Sequence, residues 1–168
     1  MHFGLWGYFT SDIRGAGTDS DVFVQLYGNE GMSTDKMSLC PNKSDRKKKF
    51  ERAQKDVFVL EMTDLGDVIE KLRIGHDGSG WGDGWHADKV VVRRKTVPYF
   101  NPDQVLDSLD FDQPKTAEST ITTWVFPINR WFATSEDDKK IIREIVPSEI
   151  TDETTNEKTG EKTVKQRN

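Results

Sequence analysis

The sequence predicts an all-β fold, an antiparallel sandwich or barrel of short strands, and three observations carry that expectation. Hydrophobicity repeats with a period of two in one segment after another. The segments are separated by clusters rich in Gly, Asp and Asn, the residues that turns need. Only one short stretch, Ser135 to Val146, admits a helical reading. In order, Trp6 and Tyr8 face the core from a first strand. Val22, Val24 and Leu26 alternate with Phe23, Gln25 and Tyr27 in a second, and Lys36 to Leu39 forms a weaker third. Phe58, Leu60 and Met62 alternate with Val57, Val59 and Glu61, then Leu72 and Ile74 with Lys71 and Arg73. Val90 and Val92 flank Val91, and Ile121, Thr123 and Val125 alternate with Thr122, Trp124 and Phe126.

Two segments do not fit the alternation. Pro98 to Glu118 is rich in Pro and Asp and poor in apolar residues, and is expected to be a long loop. Within Ser135 to Val146, Ser135 and Asp138 suit a capping box with Ile141, Ile142 and Ile145 on one helical face. The same residues also suit a turn followed by the strand "IIREIV". From Glu149 onward acidic and basic residues alternate with Thr and Asn, and Val164 is nearly the only apolar side chain. Too little apolar surface remains there to offset the entropy of ordering. The expected organisation is therefore one domain over residues 1–148 and a disordered charged tail over 149–168.

Composition narrows the function classes. The chain is 34% hydrophobic and 32% charged, which suits a domain with polar loops. Its net charge of −5 argues against wholesale attraction to nucleic acid. Cys40 is the only cysteine, so no intrachain disulfide staples the fold, and a reducing compartment is expected. The N-terminal "MHFGLWGYFT" lacks the basic region and cleavage site of a signal peptide, and no apolar run reaches the length of a membrane span. A cytoplasmic monomer that touches membranes only peripherally is the expectation.

Three stretches carry candidate chemistry. "GAGTDSD", Gly15 to Asp21, precedes the second strand. Gly frees backbone carbonyls to turn inward, and Thr18 and Asp19 add side-chain oxygens. Such a loop suits calcium, which takes about six to eight oxygens in a flexible arrangement, and equally a plain tight turn. "IGHDGSGWGDGWHADKV" holds Asp77 and Asp83 around a Gly-rich turn with Trp81 at its tip. It has neither EF-hand spacing nor the Lys-Ser/Thr of a phosphate loop. An indole at such a tip favours an interface, whereas Trp85, Trp124, Phe126 and Trp131 are expected in the core. The third stretch is the basic run Lys43, Arg46, Lys47, Lys48 and Lys49, read either as a solvated loop guarding an edge strand or as an attraction for anionic lipid headgroups. Catalysis is poorly supported: His76 beside Asp77 suggests a dyad, but no nucleophile is placed with it.

Four ordered blocks resemble a known family. "GAGTDSDVFVQLYG", "FERAQKDVFVLEMTDLGDVIEKLRIGHDGSG", "GWHADKVVVR" and "WVFPINRWFATSEDD" are similar to the PLAT domain, the module shared by polycystins, animal lipoxygenases and clostridial alpha-toxin, and above all to the tandem PLAT repeats of lipoxygenase homology domain proteins. The likeness covers roughly Trp6 to Pro147. It implies a C2-like antiparallel β-sandwich of two four-stranded sheets, and it implies that "IIREIV" is a strand. It further implies a non-enzymatic module that docks on an anionic membrane surface or a membrane-associated protein, or that joins proteins within a tandem array. Calcium ligands implied by the resemblance are Gly17, Thr18 and Asp19, then Asn42 and Asp45, then Asp83, with Asp77 close by. Trp81 and the basic run Lys43, Arg46, Lys47, Lys48 and Lys49 are the implied membrane or partner contacts. Cys40 and Pro41 stand where some members carry acidic residues, which weakens one of the implied calcium positions.

Overall fold

The computed structural model describes residues 2–46, 48–80, 84–96 and 118–167, without the side chains of residues 2–6 and 43. The strands are β1 His2–Thr10, β2 Val22–Gly28, β3 Met37–Ser38, β4 Lys55–Met62, β5 Ile69–His76, β6 Trp85–Thr96, β7 Glu118–Phe132, β8 Ile142–Ile145, β9 Glu149–Asn156 and β10 Lys162–Gln166, with one short helix, α1 Lys43–Arg46. One sheet has the order β10-β9-β7-β6-β1-β4 and the other β3-β2-β5-β8, with every pair antiparallel. The expected pair of four-stranded sheets is present as β7-β6-β1-β4 facing β3-β2-β5-β8, and β9 and β10 widen the first to six strands.

The period-two pattern does the sorting. Tyr8, Val24, Leu26, Leu72, Ile74, Val90, Val92, Trp124 and Phe126 are buried between the sheets. Burying one such side chain contributes about 1.5–3 kcal/mol, so the alternation pins register on every inner strand. A bulge keeps β6 inward along its whole length. Against β1 its register shifts between Phe9/Lys89 and Thr10/Ala87, leaving Asp88 as an extra residue. The extra residue reverses the parity, so that Trp85 and Ala87 as well as Val90 and Val92 reach the core. At this end an aromatic cluster closes the sandwich: Phe50 meets Tyr8 at 6.0 Å, Phe58 at 5.8 Å and Trp85 at 5.4 Å between ring centroids, and Trp85 meets Phe132 at 5.3 Å.

Several expectations need correction or placement. The disordered tail from 149 is instead a hairpin. β9 pairs with β7 over eight registered positions, from Glu118 opposite Asn156 to Val125 opposite Glu149, and β10 pairs with β9. Thr-rich strands need little apolar content when they extend an existing sheet edge, and Arg167 fastens the end by hydrogen bonds to Asp152 and to the Asp67 carbonyl. The capping-box reading of Ser135 fails, because Ile142–Ile145 is a strand paired with β5. Trp131 is half-buried rather than in the core, its ring edge-on to His86 at 5.2 Å. The loop expected from Pro98 lies outside the described residues as far as 117. No helix among the described residues is long and apolar enough to cross a membrane.

Candidate functional site

Strand direction gathers the candidate loops at one end. β1 and β5 end there and β2 and β6 begin there, so residues 11–21 and 77–80 are neighbours, with 39–46 and 48–54 between β3 and β4 beside them. The first two loops are stitched by backbone and side chain. The Asp21 amide donates to Asp77 Oδ1 at 3.0 Å and the Asp77 amide to the Asp21 carbonyl at 3.2 Å. Ser20 Oγ donates to the Ser79 carbonyl at 2.6 Å. Ser79 donates to Asp77 Oδ1 from its amide at 3.0 Å and its hydroxyl at 2.6 Å. Burial alone would raise the Asp77 carboxyl. The bonds from Ser79 and Asp21 and the charge of Arg46 outweigh it and hold the group at about 2.

Close approach explains two glycines. A Cβ on Gly17 would lie 3.0 Å from the Phe50 carbonyl oxygen and 3.3 Å from the Arg52 amide nitrogen, so a side chain there would press the loop away from that backbone by a few tenths of an ångström. The Thr18 amide then donates to the same Phe50 carbonyl at 3.1 Å. Gly80, at φ +82°, lies against Asp19 in a conformation that L side chains rarely adopt.

The expected ligands divide into two groups. Gly17, Thr18 and Asp19 line a depression of about 340 Å³ with Gly15, Ala16, Glu51 and Arg52. Asp19 and Glu51 side chains have no hydrogen-bond or ion-pair partner among the described residues, while Arg52 is turned to Asp12 at 2.7 Å. Two open carboxylates beside loop carbonyls suit a hard cation in donor type. The other group is partly engaged. Asn42 Oδ1 accepts from the Ser44 amide and hydroxyl, and Asp45 is exposed on α1. Arg46 already fills the space between the loops. Its Nε donates to the Cys40 carbonyl at 2.7 Å, one terminal nitrogen donates to the Pro41 carbonyl at 3.1 Å, and that nitrogen lies 3.5 Å from Asp21 Oδ2. Ser38 Oγ donates to the other Asp21 oxygen. A tethered guanidinium therefore supplies positive charge between Asp21 and the loop that holds Asn42 and Asp45. Among the described residues no three His, Cys, Asp or Glu side chains group as a metal cage.

The basic run divides in the same way. Arg46 is buried, which corrects its expected role as a surface contact. Lys48 is exposed, and Lys49 lies 4.0 Å from buried Asp56. Lys47, Trp81 and Asp83 lie outside the described residues, as does the side chain of Lys43. The His76–Asp77 dyad is not assembled. His76 is buried, the Gly78 amide donates to its Nδ1 at 3.0 Å, and its Nε2 is 2.6 Å from the Phe132 carbonyl, so both ring nitrogens serve the loop. Burial, then the Asp45 charge, pushes the Cys40 thiol up, away from reactive thiolate character. Sequence reasoning missed Asp21, Glu51, Phe50 and the inward turn of Arg46. Asp21 was legible in principle as the last residue of "GAGTDSD"; the other three follow from packing.

Comparison with known proteins places this geometry. The family model of the PLAT/LH2 domain matches residues 9–109. Human Lipoxygenase homology domain-containing protein 1 is 42% identical over 84% of the chain, and human Polycystin-1-like protein 3 is 30% identical over 83%. The chain spans only 6% of the length of either relative. Among solved structures, a coral 8R-lipoxygenase described as activated by calcium through a C2-like domain is similar with a TM-score of 0.56 at 21% identity. A calcium-dependent 11R-lipoxygenase is similar with 0.55 at 22%. Each covers 88% of this chain, and this chain covers 17% of each.

Proposed function

The chain belongs to the PLAT/LH2 domain family, and from that premise we propose that it is a non-enzymatic docking module whose loop end meets an anionic membrane surface or a membrane-associated protein, with calcium entering at the first loop. The observation that carries the reading is the pairing of open Asp19 and Glu51 carboxylates on one depression at the end of the sandwich where Lys48 is exposed. Calcium bound there would neutralise local negative charge. Gly17 sets the loop backbone against residues 50–52, Thr18 orders it through its bond from the Ser20 amide, and Asp19 and Glu51 supply the charge. Arg46 holds the neighbouring loop closed by itself, so one cation position rather than two is proposed. The description of the coral 8R-lipoxygenase supports the calcium element by likeness of fold. Buried, unpaired Cys40 supports a reducing compartment.

The second reading is a protein–protein interaction module of a tandem PLAT array, with calcium structural or absent. The small share of the long relatives that this chain spans favours it. Sedimentation with phosphatidylserine vesicles separates the two. The docking reading expects the protein in the pellet with calcium and in the supernatant with chelator, and expects Asp19→Asn to abolish the difference, because the ligand charge falls while shape persists. Protein that stays in the supernatant in both conditions removes the membrane reading.

A further inference from the structure

The broad outer face of the larger sheet is unlike the rest of the molecule. On β4, β1, β6 and β7 the outward positions carry Val57, Val59, Gly7, Phe9, Val91 and Val125, interleaved with Lys55, Lys89, Arg93 and Lys95. Val57 is 46% exposed and Val59 66% exposed, more than isolated inner-strand valines need. The four cations have no carboxylate partner among the described residues. Lys55 and Lys89 instead lie over the Phe9 ring, at 5.4 Å and 4.9 Å from its centroid. Glu61, and Asp88 at the bulge beside Lys89, are the described carboxylates at the outward positions of these four strands. On the margin, Glu149 and Glu153 follow on β9, the latter paired with Lys162 at 3.6 Å. A cationic, apolar stripe thus runs across a chain of net charge −5.

The absent side chain of Gly7 leaves a depression of about 60 Å³ at the centre of the stripe, lined by Phe9, Lys55, Val57, Val91 and Arg93. Sites for small organic ligands run to about 300–1,000 Å³, so this one admits a single small side chain and not an acyl chain or a cofactor. Cations spaced along neighbouring strands, with valines between them, complement a segment whose side chains alternate carboxylate and small apolar groups.

We infer that this face is a docking surface for an acidic polypeptide segment, with Arg93, Lys95, Lys55 and Lys89 taking its carboxylates and the depression over Gly7 taking one small apolar side chain. The surface lies on the side of the sandwich, so the inference stands apart from the loop-end reading and does not need calcium.

The test is fluorescence anisotropy of the full chain, in chelator, with a labelled synthetic dodecapeptide alternating Glu with Val and Ala. Saturable binding is expected, weakened about tenfold between about 0.1 M and about 0.5 M salt as charge attraction is screened. The double variant Arg93→Glu, Lys95→Glu should lose binding by about tenfold or more. Both positions are exposed, and an unchanged melting temperature would show that the fold persists. A Gln-for-Glu peptide should not bind. No binding of the Glu peptide, equal binding of the Gln peptide, or full binding by the double variant overturns the inference. So does calcium-free binding to phosphatidylserine vesicles that the double variant loses while the peptide is ignored, which would assign the face to lipid.

Discussion

Arg46 is the polar side chain whose removal should be felt most at the loop end. Its guanidinium is buried and satisfies two carbonyls while facing Asp21. Arg46→Ala leaves those acceptors without their donor and half-buried Asp21 with only its Ser38 bond, and hydrogen bonds to charged groups contribute about 1.5–3 kcal/mol each. A loss of about 2–3 kcal/mol is expected, with Arg46→Lys recovering little because one ammonium cannot span the fork; urea unfolding measures both. Asp77 gives the acid limb. Its folded pKa lies below the ordinary 3.8, at about 2. Its contribution is therefore complete above the unfolded value and is lost as pH falls from about 4 towards about 2. Asp77→Asn should flatten the fall of the urea midpoint across that window, and an unchanged slope would count against the Ser79 and Asp21 bonds. Sequence reading singled out Asp77 as a calcium ligand, because Asp among Gly is a strong local signal, and not as the acceptor that ties the two loops. It did not find Arg46 or Phe50, since a residue in a basic run looks solvated until its neighbours are known, and Phe50 enters the core from a loop at φ +55°.

The strands were legible wherever one face is buried and the other wet, because the side-chain period alone then sets the pattern. β9 and β10 were not. Their stability comes from a sheet edge far away in sequence, from Thr120 and Thr154 hydroxyls 3.2 Å apart, and from the pairing of Arg167 with Asp152, none of which raises apolar content. The hairpin should be structural rather than dispensable. Ending the chain after Pro147 removes Ile150 from the core margin and bares the β7 edge. A destabilisation of roughly 2–3 kcal/mol corresponds to a fall in melting temperature of roughly 5–10 °C at this chain size. An unaltered melting temperature would contradict the contribution assigned to the β7–β9 pairing. The bulge at Asp88 was likewise hidden, because a parity change inside a valine-rich strand leaves no trace in composition.

At the scale of the molecule, two surfaces separate. The loop end carries open carboxylates beside a self-closed basic loop, and the side of the larger sheet carries, on valines, cations with no carboxylate partner among the described residues. The resemblance in the sequence pointed to the first, because its Gly, Thr and Asp are motif residues. The second depends on strand order, which brings β4 and β6 to either side of β1 across long stretches of sequence. The claim that the loop end is the docking surface is tested most directly by amide hydrogen exchange with phosphatidylserine vesicles, compared in calcium and in chelator. Slower exchange at residues 15–20 and 76–80 in calcium alone, with β4 and β6 unchanged, is the predicted result. Unchanged exchange in both loops, or slowing confined to β4 and β6, would contradict it.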